Sequence, residues 1–235
     1  MTSELEVRSK AFAGEIGSVL KDSLGTDTQI VSIRYGDRYA IRPAGETPAE
    51  RRIPLTVNGQ HLADLAVALY QTLDHSGAHL KTTRTDFGVF STLDRTPLLR
   101  LEYRSDMRED PVCHWQFHAE RGAFTHLLSI ANSSDARRVP SPHDLSKVHL
   151  PVGGERFRPC LEDFVEMLIR DCGVDAAPGW QSALTAGRER WRRRQFRTSV
   201  RDLQDEAAAV LEAHGWTLTP PTFAYEPHLQ PYRSW

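Results

Sequence analysis

The stretch Val112-Cys113-His114-Trp115-Gln116-Phe117-His118-Ala119-Glu120 divides cleanly at a period of two. Cys113, Trp115, Phe117 and Ala119 fall on one side, and His114, Gln116, His118 and Glu120 on the other. That alternation predicts a β-strand with one apolar face and one polar face. It places the rings of Trp115 and Phe117 in the interior and turns the imidazoles outward.

The flanking segments extend the pattern. Leu98–Arg104 sets Leu99, Leu101 and Tyr103 against Arg100, Glu102 and Arg104, and His79–Thr92 is rich in Thr, Phe and Val. Turns at Asp94-Arg95-Thr96-Pro97 and at Asp106–Pro111 separate the three runs, so residues 79–120 read as an antiparallel meander. If the last two strands pair, Arg100, Glu102, Arg104, His114, Gln116, His118 and Glu120 share one polar face. Opposite charges across such strands contribute about 0.2–1 kcal/mol each.

Outside the meander, Ser3 and Glu6 form a capping-box pattern ahead of Leu5, Phe12, Ile16, Val19 and Leu20, and Gly25 ends the predicted helix over 4–24. Strands are expected at Gln29–Tyr35, Tyr39–Arg42 and Ile53–Val57, followed by a turn at Asn58-Gly59. His61–Asp74, with Leu62, Leu65, Ala66, Leu69 and Leu73, reads as an amphipathic helix stopped by Gly77. Downstream, helices are expected at Ala123–Asn132, Cys160–Asp171, Trp180–Phe196 and Val200–Ala213, with one strand at Lys147–Val152. The fold class is α+β: a mainly antiparallel sheet covered by helices, with a helical C-terminal third. The organisation expected is a sheet domain over 1–132, a long Pro-rich connection over 133–159 and a helical region over 160–235, packed together as one compact unit.

Composition narrows the function classes. At 235 residues and 26% charged, the chain has ordinary globular usage. The formal net charge of −2 gives no global case for nucleic acid or membrane. There is no apolar run near the ~18 residues of a membrane span, and the first residues lack the basic and apolar regions of a secretory signal. Cys113, Cys160 and Cys172 are widely spaced, with no Cys-x-x-Cys pair, so a reduced cytoplasmic protein is expected.

Three constellations carry chemistry. His114, His118 and His149 are the candidate acid–base groups. On a strand the first two stand roughly 13 Å apart, too far to share a metal ion, so neither metal nor cofactor is expected. Gly153 and Gly154, leading through Arg156 and Arg158 into a helix, resemble a phosphate-binding corner, without the spacing of a P-loop. Pairing of those arginines with nearby carboxylates is the competing explanation. Arg190, Trp191, Arg192, Arg193, Arg194 and Arg197 form a dense basic and aromatic cluster suited to a phosphate backbone or an acidic partner. A solvated helix face is the competing explanation there.

Two functions follow. The first is a binding protein that engages nucleic acid, RNA rather than DNA, or an acidic protein, within a toxin–antitoxin, defence or regulatory assembly. The second is a metal-independent phosphodiesterase or ribonuclease, in which His114, His118 and His149 move protons and Arg156 and Arg158 bind phosphate.

Overall fold

A computed structural model describes residues 3–74, 76–93, 97–108, 110–118, 129, 132–133, 141, 144, 148–222 and 225–233. The first helix, α1 (Glu4–Leu24), begins where the Ser3 hydroxyl accepts from the Glu6 amide at 3.2 Å. It ends at Gly25, whose positive φ of 69° lets its own amide reach the Lys21 carbonyl. Phe12, Ala13, Ile16, Val19 and Leu20 bury one side of the helix.

Among the described residues, eight strands form one antiparallel sheet: β1 (Ile30–Tyr35), β2 (Arg38–Pro43), β3 (Arg52–Val57), β4 (Gln60–Leu73), β5 (Leu80–Ser91), β6 (Pro97–Arg104), β7 (Cys113–Phe117) and β8 (Leu150–Pro151). The order is β1-β2-β4-β5-β6-β7-β8, and β3 also pairs with β4. Along one edge of the long β4, β3 meets Gln60–Ala66 and β2 meets Leu69–Gln71, while β5 runs beside the other edge. The expected meander is therefore present as β5, β6 and β7. The expected strand at 147–152 is the short β8, which joins the same sheet through His114 and Trp115.

One expectation is overturned. The segment expected as a helix over 61–74 is strand β4 up to Leu73. Leu65, Val67, Leu69 and Gln71 are buried at alternate positions, a period of two. The deciding feature is the turn before them. Asn58 and Gly59 take φ of 52° and 76°, the left-handed pair of a two-residue hairpin, and β3 folds straight back onto β4. Ladders on both sides then outweigh the helical preference of Ala and Leu. Asp175 clasps this turn, its two carboxylate oxygens accepting from the Asn58 and Gly59 amides at 3.0 and 2.8 Å.

The helices expected in the C-terminal third are α2 (Leu161–Cys172), α3 (Trp180–Asp202) and α4 (Gln204–Ala213), followed by the short α5 (Gln230–Arg233). The break between α3 and α4 falls at Leu203, later than the spacing predicts. The helix expected at 123–132 lies almost wholly outside the described residues. The core joins α1, one sheet face, α2 and Leu184 of α3. At its centre, fully buried Phe164 stacks on Trp115 at 5.3 Å and meets Phe87 edge-on at 5.7 Å. Burying a ring of this size stabilises the fold by about 1.5–3 kcal/mol. Arg188 bridges α3 to Asp163 and Glu166 of α2, and Gly187 gives Glu162 room, since a Cβ there would stand 2.3 Å from its carboxylate.

Candidate functional site: two surfaces on opposite sides of the sheet

Alternation along β5, β6 and β7 gives the sheet two unlike faces. Leu99, Leu101, Tyr103 and Cys113 turn into the core beneath α1 and α2. Trp115 follows them, half-buried against Phe164, whereas Phe117 at the strand end is 43% exposed. The opposite face carries Arg84 and Asp86, Arg100, Glu102 and Arg104, and His114 and Gln116. The register places Asp86 beside Glu102, Glu102 beside His114 and Arg100 beside Gln116.

This polar face is not open to solvent as expected: His114 is 1% and Gln116 6% exposed. His114 Nδ1 lies 2.7 Å from the Pro111 carbonyl, which accepts its proton and leaves Nε2 as the basic nitrogen, 4.0 Å from Glu102. His149 approaches across β8, its ring edge-on to that of His114 at 4.5 Å, with Nδ1 3.2 Å from Asp110. Each imidazole thus has its Nδ1 held by an oxygen, which fixes the orientation of the ring. Burial lowers the His149 pKa, with His114 and Arg100 adding to the effect and Asp110 and Glu102 opposing it. His118 sits half-buried just past the end of β7, its amide donating to the Leu98 carbonyl. Among the described residues, no group of three or more His, Cys, Asp or Glu side chains is placed to hold a metal ion.

Arg156 and Arg158 do not join the histidines. Arg158 lies against the core side of the sheet, its guanidinium 4.0 Å above the Tyr103 ring and 5.0 Å from that of Trp191. Burial lowers the Arg158 pKa and pushes Tyr103 and Cys113 each up to about 12, so the Cys113 thiol is a weak nucleophile. Arg156 is buried between Glu155 at 2.7 Å and Asp202 at 2.5 Å. Burial works against its charge, yet the Asp202 hydrogen bond and the Glu155 carboxylate outweigh it and raise its pKa. Gly153 and Gly154 both have positive φ, but their turn closes on the chain itself. The Phe157 amide donates to the Gly153 carbonyl, and a Cβ on Gly153 would stand 2.2 Å from the Phe157 carbonyl oxygen.

The basic cluster divides along α3. Arg194 turns inward to Glu15 of α1 at 2.7 Å, and Trp191 packs against the core beside Arg158. Arg192 stands 3.5 Å from Asp163 while remaining 67% exposed. Arg190, Arg193, Arg197 and Arg201 recur at helical spacing and stay exposed, over roughly 16 Å of helix. Among the described residues, Arg190 and Arg197 form no ion pair, and the Arg193–Glu189 pair is solvent-facing, where such pairs contribute about 0–1 kcal/mol. Phe196 lies beside this row, 69% exposed.

Asp86, Arg84 and Asp110 belong to this face without being singled out by the sequence motifs. The alternation of Arg84 and Asp86 against Thr85 and Phe87 was the available signal for the first two. No local pattern marks Asp110, which reaches His149 from a turn. Among the described residues, no helix is long and apolar enough to cross a membrane. The chain matches no protein-family model, no curated protein and no solved structure.

Proposed function

We propose that this is a cytoplasmic nucleic-acid-binding protein that engages single-stranded RNA through the exposed arginine row of α3, within a toxin–antitoxin, defence or regulatory assembly. The observation that carries the reading is the contrast along one helix. Arg188 and Arg194 are held by carboxylates, whereas among the described residues Arg190 and Arg197 have none and Arg193 is held only at the surface. Exposed guanidinium groups in a row fit successive phosphates, and the exposed Phe196 ring offers a stacking surface for an unpaired base. The test is fluorescence anisotropy with labelled single-stranded RNA, duplex DNA and an acidic peptide across a salt series. Combined Arg190→Ala, Arg193→Ala and Arg197→Ala should weaken RNA binding at least tenfold and flatten the salt slope by about 2, at roughly 0.7 per phosphate contact. Unchanged RNA affinity in that variant rejects the reading. Binding to the acidic peptide alone identifies a protein partner instead.

The paired imidazoles favour a second reading, metal-independent phosphodiester cleavage on the opposite face. His149, steadied by Asp110, takes a proton from the attacking hydroxyl, and His114, entering the step with a proton taken up on Nε2 beside Glu102, gives that proton to the leaving oxygen. Arg156 and Arg158 have no part in it, being engaged elsewhere. An RNA-cleavage assay of His149→Ala decides it: a rate equal to that of the unaltered protein removes the reading.

A further inference from the structure

The sheet ends in two unlike strands. β8 is two residues long, whereas β1 at the other end runs for six and, among the described residues, pairs with β2 alone. The register fixes which of its backbone groups are used. Ala44 donates its amide to the Gln29 carbonyl, so Gln29 faces β2, and Val31, Ile33 and Tyr35 follow at a period of two. The N–H and C=O groups of Ile30, Ser32 and Arg34 therefore point outward from the sheet.

Such an edge is a template for another strand unless it is short, bulged, charged or carries proline. β1 contains no proline and meets β2 without a shift of register. Its one charge, Arg34, is turned back, Nε donating to the Gly36 carbonyl at 3.2 Å. Nearby basic groups are paired within the chain: Lys10 with Glu6 at 2.6 Å, Lys21 with Asp27 at 3.2 Å and Arg38 with Asp37 at 3.6 Å. The edge thus carries little net charge, unlike the arginine row of α3. Val31, Ile33 and Tyr35 share one face, where Ile33 is 41% and Tyr35 69% exposed. On the other face α1 comes down to the edge, and a Cβ on Gly17 would stand 3.7 Å from Ile30. Gly14, one turn earlier, is exposed and would meet nothing within 4 Å. Glycine disfavours a helix, and no neighbour within the chain accounts for it here. It leaves a low flank beside the open strand.

We propose that β1 pairs antiparallel with β1 of a second copy, forming a twofold dimer with one continuous sheet. In the register that suits it, Ile33 stands opposite the partner's Ile33 and Tyr35 opposite the partner's Val31, as closely spaced non-hydrogen-bonded pairs. Ser32 and the partner's Arg34 exchange the backbone bonds, which keeps the two arginines from facing each other. The same six residues complement themselves, and this favours a second copy over a foreign strand. The twofold axis runs through the sheet, so both copies of α1 and α3 lie on one side of the dimer. The claim goes beyond both readings above and holds whether or not the protein binds RNA.

The test is sedimentation equilibrium of the whole protein from micromolar to submillimolar concentration. The mass should rise from 26.6 kDa toward twice that value. Arg34→Pro removes an amide that β2 does not use, and Ile33→Lys sets like charges opposite each other. Each should raise the dissociation constant at least tenfold, with circular dichroism confirming the fold. Should a variant not fold, amide hydrogen exchange of the unaltered protein replaces it. The amides of Ile30, Ser32 and Arg34 should gain protection as concentration rises, while those of Val31, Ile33 and Tyr35 stay protected throughout. A mass of 26.6 kDa at every concentration, or a dimer that both variants leave intact, overturns the proposal. Protection of Ile30, Ser32 and Arg34 in the monomer also overturns it, because the edge is then closed within a single copy. The α3 triple arginine variant should dimerise normally, which separates this edge from the RNA-binding surface.

Discussion

Arg156 and Arg158 on one side, and Arg190, Arg193 and Arg197 on the other, are the same residue type in two neighbouring segments, with opposite roles. The first pair is buried, one within a carboxylate network and the other between aromatic rings. The second set projects from α3 into solvent. Arginine density therefore says little about ligand binding until burial is known. A guanidinium buried in a satisfied network holds the fold together, and one left in solvent is available to a partner.

The largest effect should come from breaking the buried network. Arg156→Ala leaves Asp202 and Glu155 buried without their partner, and should cost about 3–5 kcal/mol in urea unfolding. A loss below about 1 kcal/mol would erase the distinction between the two sets. Gly153→Ala should come next. It forces a Cβ into a position with φ of 65° and into the Phe157 carbonyl, for a loss of about 1–3 kcal/mol. Wild-type stability in that variant would show the turn to be less closed than its geometry.

A third measurement follows pH. The His149 pKa lies below its ordinary value of 6.5, chiefly through burial. The unfolded chain therefore takes up the proton first. This group leaves stability intact above about 6.5 and erodes it as the pH falls below that value. Urea midpoints between neutral and mildly acidic pH should show the decline, and His149→Gln should flatten it. Arg197→Ala should have the smallest effect on folding, within about 0.5 kcal/mol. A larger loss would mean that the exposed row also supports the fold.

Much of the framework was legible because side-chain period and caps are local signals. The two faces of β7, the Ser3 and Gly25 caps of α1 and the apolar side of α2 all follow from spacing. β4 was misread because Ala and Leu also suit a helix, although Asn58-Gly59 directly before it is a strong hairpin signal. The burial of His114 was beyond reach, since alternation separates the faces of a strand without revealing what covers each one. The partners of Arg156 were hidden for a related reason: Asp202 lies 46 positions away in sequence, and only the packing of α3 brings it there.

The Asp175 clasp on the β3–β4 turn has a chemical consequence. Asn-Gly sequences age by attack of the glycine amide nitrogen on the asparagine side-chain carbonyl, releasing ammonia and leaving an aspartate or isoaspartate. Here the Gly59 nitrogen is held by a carboxylate oxygen at 2.8 Å and the backbone is fixed in the hairpin geometry. The carboxylate that clasps the turn thereby also slows its deamidation, so Asp175→Ala should lose the Asn58 side-chain amide faster on storage while still folded.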